Sequence, residues 1–148
     1  MKISGSAQLP FSPERTYELM QDPIVLARAI PGCESLERTG EGEYRMKMKM
    51  ILASFSGAFE GKVRLIDPAP PTSFRMSVEG SGKIGFMKGD GAITLAPKDW
   101  GDRGLGTEVS YDGDAQIGGT MAAVGQRLID TTARMLLKRF FEKLSAEP

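Results

Sequence analysis

Histidine is absent from this 148-residue chain. The commonest general acid–base group and the commonest metal ligand are therefore both missing. Cysteine is nearly absent as well. Cys33 stands alone, so neither an internal disulfide nor a CxxC or HExxH arrangement can form. A lone cysteine fits a reducing cytoplasm better than an oxidising compartment. A surplus of either charge is also missing, since nineteen basic residues balance nineteen acidic ones. A general nucleic-acid binder needs an excess of Lys and Arg, so nucleic acid is not an expected partner. No apolar run approaches the roughly 18 residues of a membrane span, and the first residues lack the apolar core of a signal peptide. The expectation is one cytoplasmic domain over residues 1–148, large enough to bury a core without metal or disulfide.

What is present is alternation. Lys2–Phe11 places Ile3, Gly5, Ala7 and Leu9 on one face, as a half-buried strand does. Ser12-Pro13-Glu14 and Asp22-Pro23 carry helix-start chemistry: a capping side chain, then proline in the first turn. They predict two short helices, 13–20 and 23–29, burying Tyr17, Met20 and Leu26. Cys33–Arg38 is a short strand. Glu43–Leu52 is the clearest one, with Tyr44, Met46, Met48, Met50 and Leu52 on one face and Arg45, Lys47 and Lys49 on the other. Ile51 is its exception. A turn at Ala53–Ser56 leads to a strand through Phe55, Gly57, Phe59, Gly61, Val63 and Leu65. A stiff loop is expected at Asp67–Pro71. Ser73–Gly80, Ile84–Leu95 and Thr107–Ile117 read as further strands, with a bulge or bend at Gly80-Ser81-Gly82 and a polar loop from Pro97 to Gly106.

The last segment, Gly119–Ala146, has no proline and shows helical spacing at Met121, Val124, Leu128, Met135, Leu136, Phe140 and Leu144. It predicts a helix about 40 Å long. Asp130 can pair with Arg127 or Arg134 across one turn. The expected fold is α+β: a curved antiparallel sheet of about six to seven strands, wet on one side, wrapped around the C-terminal helix on the other.

Such a sheet closes poorly on one helix. Its inner face is rich in glycine and methionine, with Met46, Met48, Met50 and Met76 on the strands and Met121 on the helix. Glycine in a strand marks a bend or a close approach, and methionine adapts to an irregular neighbour. Two readings follow: a plain core with methionine as filler, or a cavity for an apolar guest. Other features have duller and sharper readings. Cys33 lacks a basic partner and reads as a small buried hydrophobe. Gly80-Ser81-Gly82 and Gly118-Gly119 lack the Lys-Ser/Thr of a phosphate loop. Asp112 and Asp114, with Asp90, make a solvated face or a weak cation site. Lys47, Lys49, Lys62 and Arg64 make a balanced surface or a patch for an acidic protein or anionic headgroups. Trp100 is a partner contact or a plug over the sheet rim.

Three ordered segments carry a resemblance. They are Asp22-Pro23 through Ile30-Pro31-Gly32-Cys33-Glu34; Gly80-Ser81-Gly82 with Gly85-Phe86 and Gly89; and Tyr111, Gly113, Gly118-Gly119, Val124-Gly125-Gln126-Arg127 and Phe140-Phe141. Together they resemble the family of the carbon monoxide dehydrogenase G subunit (CoxG) over nearly the whole chain. The resemblance implies a START-like, helix-grip fold with an apolar ligand between sheet and helix. It implies a non-catalytic accessory protein that binds menaquinone, ubiquinone or a lipid, with no covalent cofactor and no metal. The implied partners are the subunits of a molybdenum hydroxylase of the carbon monoxide dehydrogenase type, with peripheral contact at the inner face of the cell membrane. The expected ligand-contacting residues are Tyr44, Met46, Met48, Phe59, Met76 and Tyr111 on the strands, with Phe86. Met121, Val124, Arg127 and Leu128 join them from the helix, with Arg127 either meeting a polar head such as a quinone carbonyl or serving as a surface partner of Asp130. The alternative is an enzyme of this fold, cyclase- or hydrolase-like, acting on an aromatic or polyketide-like substrate. Tyr44, Tyr111 or Arg127 would then supply the acid–base chemistry.

Overall fold

Alternating side chains set the sheet. In β3 (Glu43–Leu52), Tyr44, Met46, Met48 and Leu52 are buried, while Arg45, Lys47, Lys49 and Ile51 face solvent. Each large side chain fully buried in this way contributes about 1.5–3 kcal/mol. The same period organises β1 (Lys2–Leu9), β2 (Cys33–Gly40), β4 (Phe55–Ala69), β5 (Ser73–Gly82), β6 (Gly85–Asp99) and β7 (Leu105–Gly118). In this computed structural model, which describes residues 1–52, 55–101 and 104–148, they form one antiparallel sheet of seven strands. The order is β1-β7-β6-β5-β4-β3-β2. Strands β2 to β7 pair in sequence through hairpins, and β1 closes against β7.

Several strands run further than their composition predicts. β4 continues past Asp67 to Ala69 through a register shift after Ile66, and Asp67 takes a left-handed φ of 51° to allow it. β6 continues to Asp99 and β7 begins at Leu105, so much of the expected polar loop is ladder. Proline is tolerated here for a local reason. Leu95 N–H still reaches Thr72 O at 2.8 Å, but Pro97, two residues on, points past the end of β5 and needs no bond on that side. Gly80-Ser81-Gly82 is neither bulge nor bend: β5 runs straight through it and turns at Lys83-Ile84. The turn expected at Ala53–Ser56 lies partly outside the described residues, as do Asp102 and Arg103 of the polar loop.

The two short helices are capped as their sequences require. In α1 (Pro13–Leu19), Ser12 accepts from Arg15 N–H at 3.2 Å. In α2 (Pro23–Ala29), Asp22 accepts from Ile24 N–H at 2.9 Å.

The C-terminal helix departs from expectation. A 3-10 helix spans Thr120–Val124, Gly125 interrupts it at φ 97°, and α3 runs Gln126–Ser145. At 20 residues α3 is about 30 Å long. The interruption has tertiary causes. Met121 N–H bonds Ile84 O at 2.7 Å, and any side chain at Gly119 would strike the Gly85 backbone. The chain then needs a left-handed residue to re-enter helix, and glycine supplies it without steric cost. The break resets the helical phase. Ile129, Phe141 and Leu144 point inward, while Leu128 and Met135, expected in the apolar stripe, are partly exposed. Asp130 pairs with Arg134 at 3.1 Å rather than with Arg127.

Candidate functional site

Two apolar clusters occupy the concave side. The first joins Leu9, Tyr17, Phe74, Ile93, Leu95 and Val109 to Phe141 and Leu144 of α3. The second joins Tyr44, Met46, Met48, Phe59 and Val63 to Met121 and to Ile129 of α3. Leu65 and Met76 touch both. The helix therefore lies along the concave face and is seated at both ends.

Between these seats the apolar face is only half-buried. One cross-strand row reads Gly113, Gly91, Met76 and Leu65; the next reads Ala115, Gly89, Val78 and Val63. All but Val63 are partly exposed. Glycines meet side by side here, with Gly91 opposite Gly113. A Cβ on Gly113 would run into the Asp90 carbonyl, so the strands curl tightly and the floor is bare of side chains at Gly89, Gly91 and Gly113. The middle of α3 adds small residues, Thr132 and Ala133, both half-buried.

Two hollows of about 280 Å³ each open beside α3 on its β1–β7 side. One lies among Met1, Phe86, Ala115, Ile117 and Gln126. The other lies among Ala7, Tyr111 and Phe141, with Arg134 and Lys138 at its rim. Each is slightly smaller than a typical small-molecule site.

The expected contact residues fall into three groups. Tyr44, Met46, Met48, Phe59 and Met121 come together, tightly buried, in the second cluster, and Val124 packs half-buried against it. Met76 and Tyr111 border the half-buried centre. Phe86 stands on the opposite face of the sheet over Gly118 and rims the first hollow. Arg127 is exposed and Leu128 partly so, which leaves Arg127 outside the concave face. Residues outside the expected contact set also matter. Ile129 and Phe141 seat the helix, and Ala115 and Ile117 line the first hollow. Only the phase reset at Gly125 brings Ile129 inward.

The three tyrosines differ chemically. Tyr17 donates to Ser73 O at 3.3 Å and Tyr44 to Gln21 O at 3.0 Å. Burial raises the Tyr17 pKa, against a smaller opposing effect of a backbone hydrogen bond. Among the described residues the Tyr111 hydroxyl has no protein partner. Its ring stacks on Phe141 with centroids 5.7 Å apart, and Gly5 leaves room for its hydroxyl end.

The remaining candidates resolve simply. The Cys33 thiol is half-buried and contacts Ser35 O at 3.5 Å; burial pushes its pKa up, and the Glu34 carboxylate adds to the rise. The rise favours the protonated thiol over the nucleophilic thiolate. Asp90 and Asp114 are paired across β6 and β7, yet among the described residues no three acidic or sulfur groups converge as metal ligands. Lys47, Lys49 and Arg64 each face a carboxylate, Glu60, Glu34 and Glu43, at 3.5–3.9 Å. That basic area is largely neutralised. Trp100 packs its ring on Gly106. Among the described residues no helix is long and apolar enough to cross a membrane.

The sequence profile of the carbon monoxide dehydrogenase G subunit (CoxG) family matches residues 5–147. A conserved protein from Geobacillus kaustophilus is 32% identical and superposes with a TM-score of 0.90, over 98% of this chain and 93% of its own. A START superfamily protein from Mycobacterium smegmatis, 14% identical, superposes at 0.63 over 97% and 94% of the two chains. The Zhui aromatase/cyclase from Streptomyces sp. R1128, 11% identical, does so at 0.62 over 98% and 91%. These last two likenesses are of fold, and the fold is START-like. No curated protein matches the sequence.

Proposed function

Because the chain belongs to the CoxG family, that of the carbon monoxide dehydrogenase G subunit, we propose that it is a non-catalytic accessory protein that carries an apolar molecule. A quinone or a lipid sits between α3 and the methionine-rich part of the sheet, and the protein serves a molybdenum hydroxylase of the carbon monoxide dehydrogenase type. One observation carries this reading. Seven of the nine methionines belong to or pack against the second cluster, beside an apolar floor that α3 leaves half-buried. Methionine is flexible and polarizable, so that cluster can repack around a guest at small cost. The hollow at Met1, Phe86 and Ile117 adjoins it, and a long isoprenoid or acyl chain enters there once the methionines shift. The test is native mass spectrometry after incubation with menaquinone or a fatty acid. A ligand-bound species is expected for the natural protein. Ala133→Trp, which fills the centre under α3, abolishes it. A natural protein that stays at its apo mass contradicts the reading.

One observation favours a second reading. Tyr111 offers a hydroxyl with no partner among the described residues, beside a hollow rimmed by Arg134 and Lys138, and one protein of this fold is an aromatase/cyclase. An enzyme acting on an aromatic or polyketide-like substrate would use Tyr111 as proton donor. Tyr111→Phe would then remove turnover while leaving ligand uptake intact.

A further inference from the structure

The sheet has two edges, β1 and β2, and they are finished differently. β2 is guarded. Its ladder shifts register between Cys33 and Ser35 and between Arg38 and Gly40, it carries Glu34, Glu37 and Arg38, and α2 packs against it. Bulges, charges and cover all keep an edge strand from pairing with another chain. β1 has none of them. It runs from Lys2 to Leu9 against β7 without a shift, and Lys2 is its one charged side chain. Pro10 falls just beyond its end.

The ladder fixes which groups of β1 are free. Met1 and Ala115 exchange two hydrogen bonds, at 2.9 and 2.8 Å, so the bonded pairs that follow are those of Ile3, Gly5, Ala7 and Leu9. The N–H and C=O groups of Lys2, Ser4, Ser6 and Gln8 therefore point away from β7. All four residues are exposed, and among the described residues no other backbone group reaches them.

This edge is complementary to itself. Laid antiparallel on a second copy, with Gly5 opposite Gly5, it sets Lys2 against Gln8 and Ser4 against Ser6. Every such pair joins one outward residue to another, so no outward N–H or C=O is left over. The faces agree as well. Ile3 comes opposite Ala7 on the concave side, and the serines meet on the other side. A slip of one residue would turn the faces over. A slip of two would leave Lys2 or Gln8 unpaired. No like charges are opposed.

We propose that β1 is a dimer edge, joining two copies of this chain into one continuous sheet about a two-fold axis at Gly5. The same patch meets itself, so the contact is closed, and the guarded β2 edge stops further growth. The contact also adds to a site. Ala7 lines the hollow at Tyr111 and Phe141, and Ile3 of the second copy comes opposite Ala7, about 4.5 Å away between Cα atoms. Each copy thus brings an apolar side chain to the other's hollow. The proposal goes beyond the carrier reading and stands without it, because the edge alone carries it.

Eight residues a side is well below the roughly 20–30 of a standard interface, so the dimer is a weak one. Sedimentation velocity on the full chain, up to about 1 mM, tests it. The mass should rise with concentration from one chain toward two. Ser6→Pro removes the two bonds that Ser6 N–H donates across the axis and should weaken dimerisation about thirtyfold. That N–H faces away from β7, so the sheet of each copy keeps its own bonds. Ser4→Lys with Ser6→Lys opposes like charges on the exposed face and should weaken it roughly two- to thirtyfold. Mixing that variant with Ser4→Glu, Ser6→Glu chains should restore it. Glu37→Lys, on the β2 edge, should dimerise as the natural protein does. Circular dichroism melting shows whether each variant is folded. A natural chain that stays monomeric throughout overturns the proposal. So does undiminished dimerisation in Ser6→Pro, a mixture that fails to recover, or an equal loss in Glu37→Lys.

Discussion

The two seats of α3 are built from different materials. The first holds Leu9, Val109 and Leu144, all at zero exposure, with Tyr17, Phe74 and Phe141 packed edge to face or stacked around them. Branched and aromatic side chains of this kind have few rotamers and fix the helix firmly. The second has Met46, Met48 and Met121 at its centre, with Met1, Met50, Met76 and Met87 against it. Unbranched thioethers fill irregular space and give way easily. One end of the helix is thus pinned, and the other rests on a deformable bed. The carrier proposal requires both, since α3 has to stay in place and still admit a guest beneath it.

Cavity-forming substitutions sharpen this contrast most. Leu144→Ala should cost about 4 kcal/mol, near the upper part of the usual range, because its rigid neighbours cannot collapse into the void. Met121→Ala, equally buried, should cost about 2 kcal/mol, because surrounding methionines can relax inward. Urea denaturation of both variants gives the two figures. Equal losses would erase the distinction between the seats.

The junction between the seats comes next. Gly125→Ala forces a Cβ into an extended positive-φ conformation (φ 97°, ψ 153°) that essentially only glycine adopts, and should cost about 1–3 kcal/mol. The site has no atom within contact distance of an added Cβ, so the loss is one of backbone strain and not of crowding. Thermal unfolding measures it. A neutral result would mean that the break at Gly125 is not held by the fold.

The smallest effect belongs to Tyr17 in the pinned seat. Its folded pKa lies above its unfolded value because burial disfavours the phenolate. Its neutral form therefore stabilises the fold at pH values below the unfolded pKa. That contribution is lost as pH rises from the ordinary tyrosine value of about 10 through the folded one. Tyr17→Phe should flatten the alkaline fall in stability, measured by urea midpoints at increasing pH. An unchanged fall would place its origin elsewhere.

How far the molecule can be read from its sequence depends on which interactions decide each feature. Strand β3 is legible because alternation is local, and one face of Tyr44, Met46 and Met48 has to go inward. The caps at Ser12 and Asp22 are legible for the same reason. The break before α3 is not. Glycine within a helical pattern is ordinary, and what forces Gly125 out of it is a bond between Met121 and Ile84, far apart in the chain. Counting straight through that break selects Leu128 where the fold uses Ile129. The ends of β4 and β6 were hidden similarly, because Pro97 is acceptable only where β5 has stopped. For the site, spacing placed the methionines on the inner face. It could not separate the buried Met46 from the half-buried Met76, because that depends on how closely α3 approaches the sheet.

Methionine-methyl NMR addresses the central claim most directly, since nine methionines report from both seats. On titration with a short-chain menaquinone, the methyl signals of Met46, Met48, Met76 and Met121 should shift together and saturate. Met20, in the pinned seat, and Met135, partly exposed on α3, should stay in place. Signals that never move, or that move at Met20 and Met135 alone, would contradict an apolar guest held between α3 and the methionine-rich sheet.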